Sequence, residues 1–176
     1  MPTPAPPPHL APNIVLTGFM GTGKTTVGRV VAERLDRTFV DTDDIIEERH
    51  GPIPQIFERL GEDAFRDMER QVAASLGATT GMVIATGGRL MLDDTAAAAL
   101  SAKARVFCLA ADVDTLLERL VSEAEQRPLL ADADVEARIR ALLESRQEGY
   151  GRFEQVATAG RPPEAVADDI IARIRA

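Results

Sequence analysis

Residues 18–25 read Gly-Phe-Met-Gly-Thr-Gly-Lys-Thr, a glycine-rich stretch that ends in a lysine and a hydroxyl residue. They fit the pattern G-x-x-x-x-G-K-[ST], in which glycines let successive backbone N–H groups point at one anion. The side chain of Lys24 can then reach the β- and γ-phosphates of a nucleotide, and the Thr25 hydroxyl can ligate Mg²⁺. The stretch therefore predicts a P-loop that binds a nucleoside triphosphate through Gly21, Thr22, Gly23, Lys24, Thr25 and Thr26.

Two aspartates, Asp41 and Asp43, follow the apolar run 38–40. Residues two apart on an extended chain point to the same side, so we expect these carboxylates to face one site. A phosphotransferase needs one carboxylate that holds the water ligands of Mg²⁺ and another that orients or deprotonates the acceptor hydroxyl. The run 82–85 carries no aspartate at its end. We therefore predict that Thr25 and Asp41, the latter through water, hold the metal and that Asp43 faces the acceptor.

Helix capping offers a different reason for acidic residues at this point of the chain. Asp44 and Glu47 have the spacing of a capping box, in which two side chains bond the free backbone N–H groups at the start of a helix. The box explains Asp44, but it does not require three aspartates. We therefore retain the assignment of Asp41 and Asp43 to the site.

Short apolar runs alternate with helical patterns along the chain. Residues 13–17, directly before the loop, are typical of a buried strand, and residues 26–35 place apolar side chains on one helical face. Further strands are predicted at 38–41, 82–85, 106–109 and 155–158, and further helices at 45–49, 53–60, 62–76, 93–100, 112–120, 135–147 and 164–175. The alternation predicts an α/β fold of the P-loop kinase type, with three layers and a central, mostly parallel five-stranded sheet flanked by helices. Because ligands bind at the carboxyl ends of parallel strands, the P-loop, residues 41–44 and the pair Gly87-Gly88 should meet there.

The chain divides into a tail and one domain. Residues 1–12 hold six prolines and are predicted to form a flexible tail rather than a signal peptide. Residues 13–176 are predicted to form a single domain that contains the P-loop. The stretch 122–134 is polar, charged and contains proline, which indicates a mobile loop.

The bulk composition excludes several classes of protein. Hydrophobic residues make up 45% and charged residues 27% of the 176 residues, which is typical of a globular domain. A net charge of −8 argues against a nucleic-acid partner, and no apolar run has the length of a membrane span. The single cysteine, Cys108, lies in an apolar run and is expected to be a core residue. Because no disulfide can form within the chain, we expect a reducing, cytoplasmic compartment.

Three arginines lie in patterns that are uninformative when taken singly. Arg66 lies one helical turn from Glu62 and Glu69, which is typical of an exposed ion-pair ladder. Arg127 precedes a proline inside the predicted mobile loop, and Arg146 lies near a helix C-terminus, where a cation complements the helix dipole. Their meaning depends on motifs elsewhere in the chain.

Several motifs in order give the chain a family resemblance. The chain resembles shikimate kinases, which belong to the P-loop small-molecule kinases, over essentially everything after the tail. The matching stretches are Gly-Phe-Met-Gly-Thr-Gly-Lys-Thr-Thr at 18–26, Asp41-Thr42-Asp43 with Ile46-Glu47, Ile56-Phe57, Gly61-Glu62 with Phe65-Arg66, Ala85-Thr86-Gly87-Gly88, and Arg127-Pro128-Leu129-Leu130.

The resemblance implies ATP-dependent phosphorylation of a ring hydroxyl of shikimate to shikimate 3-phosphate, with Mg²⁺ as cofactor and a monomer as the working form. Paired arginines suit the carboxylate of such an acceptor because guanidinium groups offer two parallel, charge-assisted hydrogen bonds. The positions that match shikimate-binding or pocket-wall residues are Asp43, Arg66, Gly87, Gly88, Arg146, Phe57, Phe65 and Glu69. The resemblance also implies that the acceptor-binding region is at about 42–76 and that the loop at about 122–134 is a mobile lid. The positions that match nucleotide contacts outside the P-loop are Arg119 and Arg161, beside the adenine, and the lid arginine Arg127, over the ATP phosphates. On this pattern the catalytic residues are Lys24, Asp43 and Arg127.

Three departures from the family pattern bear on these expectations. Arg89 stands where the family has the third glycine of a Gly-Gly-Gly run, and only glycine freely takes positive φ and leaves room for a ligand against the backbone. The stretch 146–150 reads Arg-Gln-Glu-Gly-Tyr instead of Arg-x-Pro-Leu-Tyr, and the adenine loop reads Arg-Pro-Pro at 161–163.

Two other functions stay open, the first of them because of Arg89. One is a kinase for another small hydroxy acid such as gluconate, and the other is a non-catalytic sensor of a nucleotide and a small acid. A nucleoside-monophosphate kinase is disfavoured because that group's Asp-Gly-Phe-Pro-Arg signature is absent from the sequence.

Overall fold

The computed structural model describes residues 11–124 and 133–176, which form alternating strands and helices. The elements in chain order are β1 (Asn13–Gly18), α1 (Lys24–Leu35), β2 (Thr38–Asp41), α2 (Thr42–His50), α3 (Ile53–Gly77), β3 (Met82–Ala85), α4 (Asp94–Ser101), β4 (Ala104–Ala110), α5 (Val113–Ala124), α6 (Ala133–Gly151), β5 (Glu154–Ala157) and α7 (Pro163–Arg175), with a 3₁₀ turn at Leu90–Leu92 between β3 and α4. Among the described residues, no helix is both long and apolar enough to cross a membrane.

The five strands form one sheet in the order β2-β3-β1-β4-β5, and every neighbouring pair is parallel. The predicted α/β fold is therefore confirmed. Ala85, at the end of β3, pairs with Leu16 of β1 on one side and with Asp41 of β2 on the other. The carboxyl ends of these three strands consequently lie side by side, and the loops that follow them leave the same edge of the sheet.

The core forms two layers against the sheet because alternate strand residues point to opposite faces. Ile14 and Leu16 face the first layer, and Val15 between them faces the second. The first layer is built from α1 and α7, with Val27, Val31, Val166 and Ile170 buried against the strands. The second is built from α3 and α4, with Val72, Ala73, Leu76 and Leu100 buried. A third cluster packs Cys108 with Phe19 and Leu116 under the P-loop, which confirms that the cysteine is a core residue.

The boundary between β2 and α2 corrects two expectations. The strand ends at Asp41 and the helix begins at Thr42, so Asp43 lies on a helix and the extended geometry expected for the pair was wrong. Asp41 has extended φ and ψ of −113° and 130° and caps the helix, its Oδ1 accepting a 3.0 Å hydrogen bond from the Asp43 N–H. The capping box was also wrong, because Asp44 is exposed and Glu47 Oε1 instead accepts from the Ile53 N–H at 2.9 Å.

Other boundaries differ in smaller ways. The predicted break at Gly61 is confirmed as a kink within α3, where this residue has φ 81° and ψ 175°. The loop expected at 122–134 does not include residues 122–124 and 133–134, which belong to α5 and α6. Residues 125–132 lie outside the described part of the chain, and the lid remains a prediction. The tail prediction does not hold for Ala11, which is buried and whose carbonyl accepts from the Gly81 N–H at 2.8 Å, while residues 1–10 lie outside the described part.

The contact between α3 and α4 predicts opposite effects for alanine at two helical glycines. A Cβ atom on Gly77 would lie 2.3 Å from the backbone oxygen of Ala99, whereas a Cβ on Gly151 would meet no atom within 4 Å. Gly77→Ala should therefore lower the free energy of unfolding by about 1–3 kcal/mol through overpacking. Gly151→Ala should leave it unchanged or raise it by up to about 1 kcal/mol, because alanine is the better helix former. Urea denaturation of both variants measures the difference, and equal shifts would contradict the packing described for α3 and α4.

Candidate active site

The P-loop joins the carboxyl end of β1 to the amino end of α1. Gly18 has φ 135°, and a Cβ atom there would lie 2.3 Å from the carbonyl oxygen of Leu109 on β4, so a side chain would clash with the neighbouring strand. Gly23 has φ 88° and caps α1 without a side-chain hydrogen bond, which leaves the first N–H groups of the helix pointing into the loop. The loop thus has the backbone of an anion site.

Side chains of the loop are held by its own carbonyl groups. The Thr22 hydroxyl donates to Phe19 O at 2.7 Å, and Lys24 Nζ donates to Gly18 O and Phe19 O at 2.9 Å each. Burial lowers the pKa of Lys24, and the nearby carboxylates Asp41 and Asp43 oppose that shift by favouring the ammonium form. The lysine therefore places a cation at the mouth of the loop.

A cavity of about 400 Å³ opens beside the P-loop. Its lining comes from residues 21–27 on one side and from Arg119, Thr158, Arg161, Pro163 and Val166 on the other. The structure thus brings together all the nucleotide-binding residues predicted outside the lid. Arg127 lies outside the described residues, and its place at this cavity stays a prediction.

Two arginines on the far wall of the cavity, Arg119 and Arg161, are held in place by backbone carbonyl groups, and Arg161 also by a carboxylate. Arg119 of α5 donates from Nη1 to Gly21 O at 3.1 Å and from Nη2 to Thr158 O at 2.9 Å, which ties the P-loop to the turn after β5. Arg161 donates to Ala157 O at 2.9 Å and to Asp169 Oδ2 at 3.1 Å. Thr158 is a lining residue that the sequence prediction missed, and its place at the carboxyl end of the strand predicted at 155–158 was the signal that could have found it.

Thr25 and Asp41, the residues predicted to hold a metal, are in direct contact. The Thr25 hydroxyl donates a 2.8 Å hydrogen bond to Asp41 Oδ2. A hydroxyl and a carboxylate are the hard oxygen donors that Mg²⁺ prefers, and Mg²⁺ in phosphotransferases is held by one or two such groups together with water and phosphate oxygens. The pair therefore fits the predicted ion.

Asp43 lies at the centre of the opposite half of the site. Its Oδ1 is buried and, among the described residues, has no hydrogen-bond partner. Burial, and then the like charges of Asp41 and Glu69, raise the pKa of Asp43 to about 6, and Lys24 only partly offsets them. Such a carboxylate is mostly ionised at neutral pH but is a stronger base than an exposed aspartate.

Position 87, after β3, requires glycine because the carboxylates of Asp43 and Glu69 occupy the space that a side chain would need. A Cβ atom there would lie 2.6 Å from Asp43 Oδ1 and 3.1 Å from Glu69 Oε1, so any side chain would displace one of them. The Gly87 N–H donates to the Thr42 hydroxyl at 2.9 Å, which fixes the turn over the start of α2. The backbone of this turn therefore forms one wall of the pocket that holds Asp43.

Arg66 of α3 is oriented by two glutamates. Its Nη1 donates to Glu69 Oε2 at 2.6 Å, and its Nε and Nη2 donate to Glu62 Oε1 at 3.2 and 3.0 Å. Burial disfavours the guanidinium charge, but the bonds to Glu69 and Glu62 outweigh that effect and raise the pKa of Arg66. The three bonds leave one N–H each on Nη1 and Nη2, and adjacent N–H groups of this kind can hold a carboxylate with two bonds.

The predicted aromatic wall lies beside Arg66. The rings of Phe57 and Phe65 are 4.8 Å apart and tilted by 38°, and the Arg66 guanidinium lies 5.1 Å from the centroid of Phe65. Glu69 is buried, and burial raises its pKa although the hydrogen bond from Arg66 opposes the rise. The wall thus combines an apolar surface with one buried ion pair.

Arg146 of α6 completes the cluster from the other side. Its guanidinium lies 5.4 Å from the ring centroid of Phe19, and a Cβ atom on Gly88 would be 3.8 Å from its Nη1. The Tyr150 hydroxyl donates to Gly88 O, so α6 is tied to the turn that carries both glycines. Arg146 therefore lies by the turn that carries Gly87 and Gly88. Arg66 is linked to the same turn through Glu69, whose Oε1 would be 3.1 Å from a Cβ atom on Gly87.

Arg89 does not have the backbone that would call for glycine. Its φ and ψ are −111° and −11°, an ordinary conformation for any residue. The side chain is 50% exposed, and its Nη1 donates to Glu62 Oε1 at 2.7 Å. The backbone at position 89 therefore does not require the glycine that the family has there.

Comparisons with known proteins agree with this geometry. The family model described as shikimate kinase matches residues 20–175. A shikimate kinase from Thermodesulfovibrio yellowstonii is 42% identical over 161 residues, which cover 90% of this chain and 92% of that protein. The solved structure of a shikimate kinase from Acinetobacter baumannii in complex with shikimate superposes with a TM-score of 0.85 at 36% identity, covering 95% of this chain and 94% of that one.

A gluconokinase from Sinorhizobium meliloti is also similar, with a TM-score of 0.63 at 18% identity over 95% of this chain and 93% of that one. At that identity the likeness shows a common fold alone. The family model and the relative at 42% identity each span most of the chain. The chain belongs to the shikimate kinase family.

Proposed function

We propose that this protein transfers the γ-phosphoryl group of ATP to a ring hydroxyl of shikimate, giving shikimate 3-phosphate and ADP. The observation that carries the proposal is the buried, unpartnered Oδ1 of Asp43 among the described residues, beside Gly87 and near two arginines. A small acid that carries hydroxyl groups fits such a site, since it presents a carboxylate for the arginines and an O–H for the aspartate. The relative from Acinetobacter baumannii, which was solved with shikimate, supports that acceptor.

The nucleotide is assigned to the cavity beside the P-loop. The backbone of residues 21–26 and the Lys24 ammonium bind the phosphates, and Arg119 and Arg161 flank the adenine. Thr25 and Asp41, the latter through water, would hold Mg²⁺, which when bound supplies positive charge beside the phosphoryl oxygens. Arg127 is assigned to the phosphates on its match to the family's lid arginine alone.

The acceptor is assigned to the pocket between α2, α3 and α6. The adjacent N–H groups of Arg66 and the guanidinium of Arg146 bind its carboxylate, and Glu69 holds Arg66 in orientation. Phe57 and Phe65 pack against its ring. Gly87 and Gly88 let the ring approach the backbone. All of these residues come from one chain, so we propose that the monomer is the active form.

Asp43 supplies the base. In the transfer, the acceptor oxygen forms a bond to the γ-phosphorus, the bond from that phosphorus to the β–γ bridging oxygen breaks, and the hydroxyl proton passes to Asp43. With a pKa of about 6, this carboxylate is unprotonated at neutral pH and can still accept the proton as the O–P bond forms. Lys24 stabilises the negative charge that develops on the phosphoryl oxygens.

A coupled assay of ADP release tests the function and its rivals. Turnover with ATP and shikimate, but not with ATP and gluconate or ATP alone, is the expected result. Turnover with gluconate only would transfer the assignment to another hydroxy acid, and no turnover with either acid, despite nucleotide binding, would favour a sensor.

Two substitutions separate catalysis from nucleotide binding. Lys24→Ala should abolish transfer because it removes the cation at the transferred phosphoryl group. Asp43→Asn should lower kcat by about 10²- to 10⁴-fold, the usual contribution of a general base, while the Kd for ATP stays close to that of the wild type. Asp44→Asn is the matched control, since Asp44 is exposed and lies on the same helix. Near-normal turnover of Asp43→Asn would refute the role of Asp43.

The dependence of kcat/KM on pH should report the pKa of Asp43. Because the pKa of Asp43 is raised to about 6, kcat/KM for shikimate should fall as the pH drops below about 6, whereas an ordinary aspartate would sustain the rate to near pH 4. Glu69→Gln removes one of the like charges, so the acidic limb should move to lower pH. A limb that stays in place in Glu69→Gln, or that moves equally in Asp44→Asn, would contradict the assignment.

A further inference from the structure

Arg89 lies at the rim of the pocket assigned to the acceptor, directly after Gly87 and Gly88. The 3₁₀ turn that it opens is anchored by Leu90 and Met91, both fully buried. This anchoring fixes the Arg89 backbone while its half-exposed side chain extends over the surface toward α3. The Arg89 side chain therefore extends from a backbone position that is fixed beside the site.

The contact that Arg89 makes is with a carboxylate that Arg66 also uses. Glu62 Oε1 accepts from Arg89 Nη1 at 2.7 Å and from Arg66 Nη2 at 3.0 Å. Glu62 is 52% exposed and lies at the kink of α3, next to Gly61. One glutamate thus joins the two arginines.

The charges around the pocket show what Arg89 changes. When Arg89 is left aside, the residues of the phosphate and acceptor sites include four carboxylates and three cations: Asp41, Asp43, Glu62 and Glu69 against Lys24, Arg66 and Arg146. An excess of negative charge repels an anionic acceptor, and Glu62 competes with the acceptor carboxylate for Arg66. Arg89 balances the excess and gives Glu62 a second cation.

We propose that Arg89 is a positioning and specificity-determining residue of the acceptor site: by pairing with Glu62 it keeps the remaining N–H groups of Arg66 available and favours acceptors that carry a carboxylate. The inference rests on the proposed function, because it assigns the acceptor carboxylate to Arg66. It concerns acceptor binding and leaves the transfer step to the residues already named.

Steady-state kinetics of Arg89→Gln test the proposal. The KM for shikimate should rise about three- to fivefold, the range expected for an exposed charge interaction, while kcat and the KM for ATP change by less than about twofold. The rise should be largest at low ionic strength, because salt screens the interaction. Arg89→Lys keeps the charge and should restore most of the affinity.

Glu62→Gln in the Arg89→Gln background distinguishes charge balance from other effects. Removing both charges restores the balance, so the KM should return toward the wild-type value. Arg105→Gln is the control for net charge, since Arg105 pairs with Glu154 at 3.0 Å near the opposite edge of the sheet. An unchanged or lower KM in Arg89→Gln, an equal rise in Arg105→Gln, or a double variant as weak as Arg89→Gln would overturn the proposal.

The two proposals fail in different ways. If the wild type releases no ADP with shikimate, the proposed function fails, and the Kd of shikimate, measured by calorimetry on the same variants, then tests Arg89 by itself. If the wild type turns over shikimate but the KM does not respond to Arg89, only the role of Arg89 is lost. Absence of both turnover and binding overturns both.

Discussion

The burial of Asp43 beside two other carboxylates, Asp41 and Glu69, is the constraint on which the site depends. Burial, and then these like charges, raise the pKa of Asp43 to about 6, and cations placed against the carboxylates offset part of the repulsion. Lys24 interacts with Asp41 and Asp43, and Arg66 donates a 2.6 Å hydrogen bond to Glu69. The arrangement makes Asp43 a stronger base than an exposed aspartate, beside the P-loop.

The parallel sheet makes this arrangement possible. Since β1 and β2 both neighbour β3, their carboxyl ends bring the P-loop, Asp41 and Gly87 to one edge. The turn can pack over the carboxylates only with glycine at position 87, because a Cβ atom there would lie 2.6 Å from Asp43 Oδ1. Helices α3 and α6 then deliver one arginine each from opposite sides. The fold thus supplies the positions, and a few polar contacts orient the groups.

Much of the fold and part of the site could be predicted from the sequence. The P-loop is a local motif, and alternating apolar runs define a parallel sheet, so the meeting of residues 18–25 with Gly87 followed directly. The helical position of Asp43 could not be predicted in the same way, because it depends on which aspartate caps α2, and Asp41 does so. Thr158 belongs to no motif. The direction of Arg89 depends on Glu62, a contact between residues distant in the chain that local patterns do not encode.

In the proposed function, an acceptor carboxylate is bound by Arg66 and Arg146 next to Asp43. Calorimetry of shikimate and its methyl ester, each added to the wild-type protein, tests this binding, because the ester keeps the ring and its hydroxyl groups but lacks the charge. We expect the ester to bind at least about tenfold more weakly, since hydrogen bonds between charged groups are lost. Equal Kd values for the two compounds would contradict it.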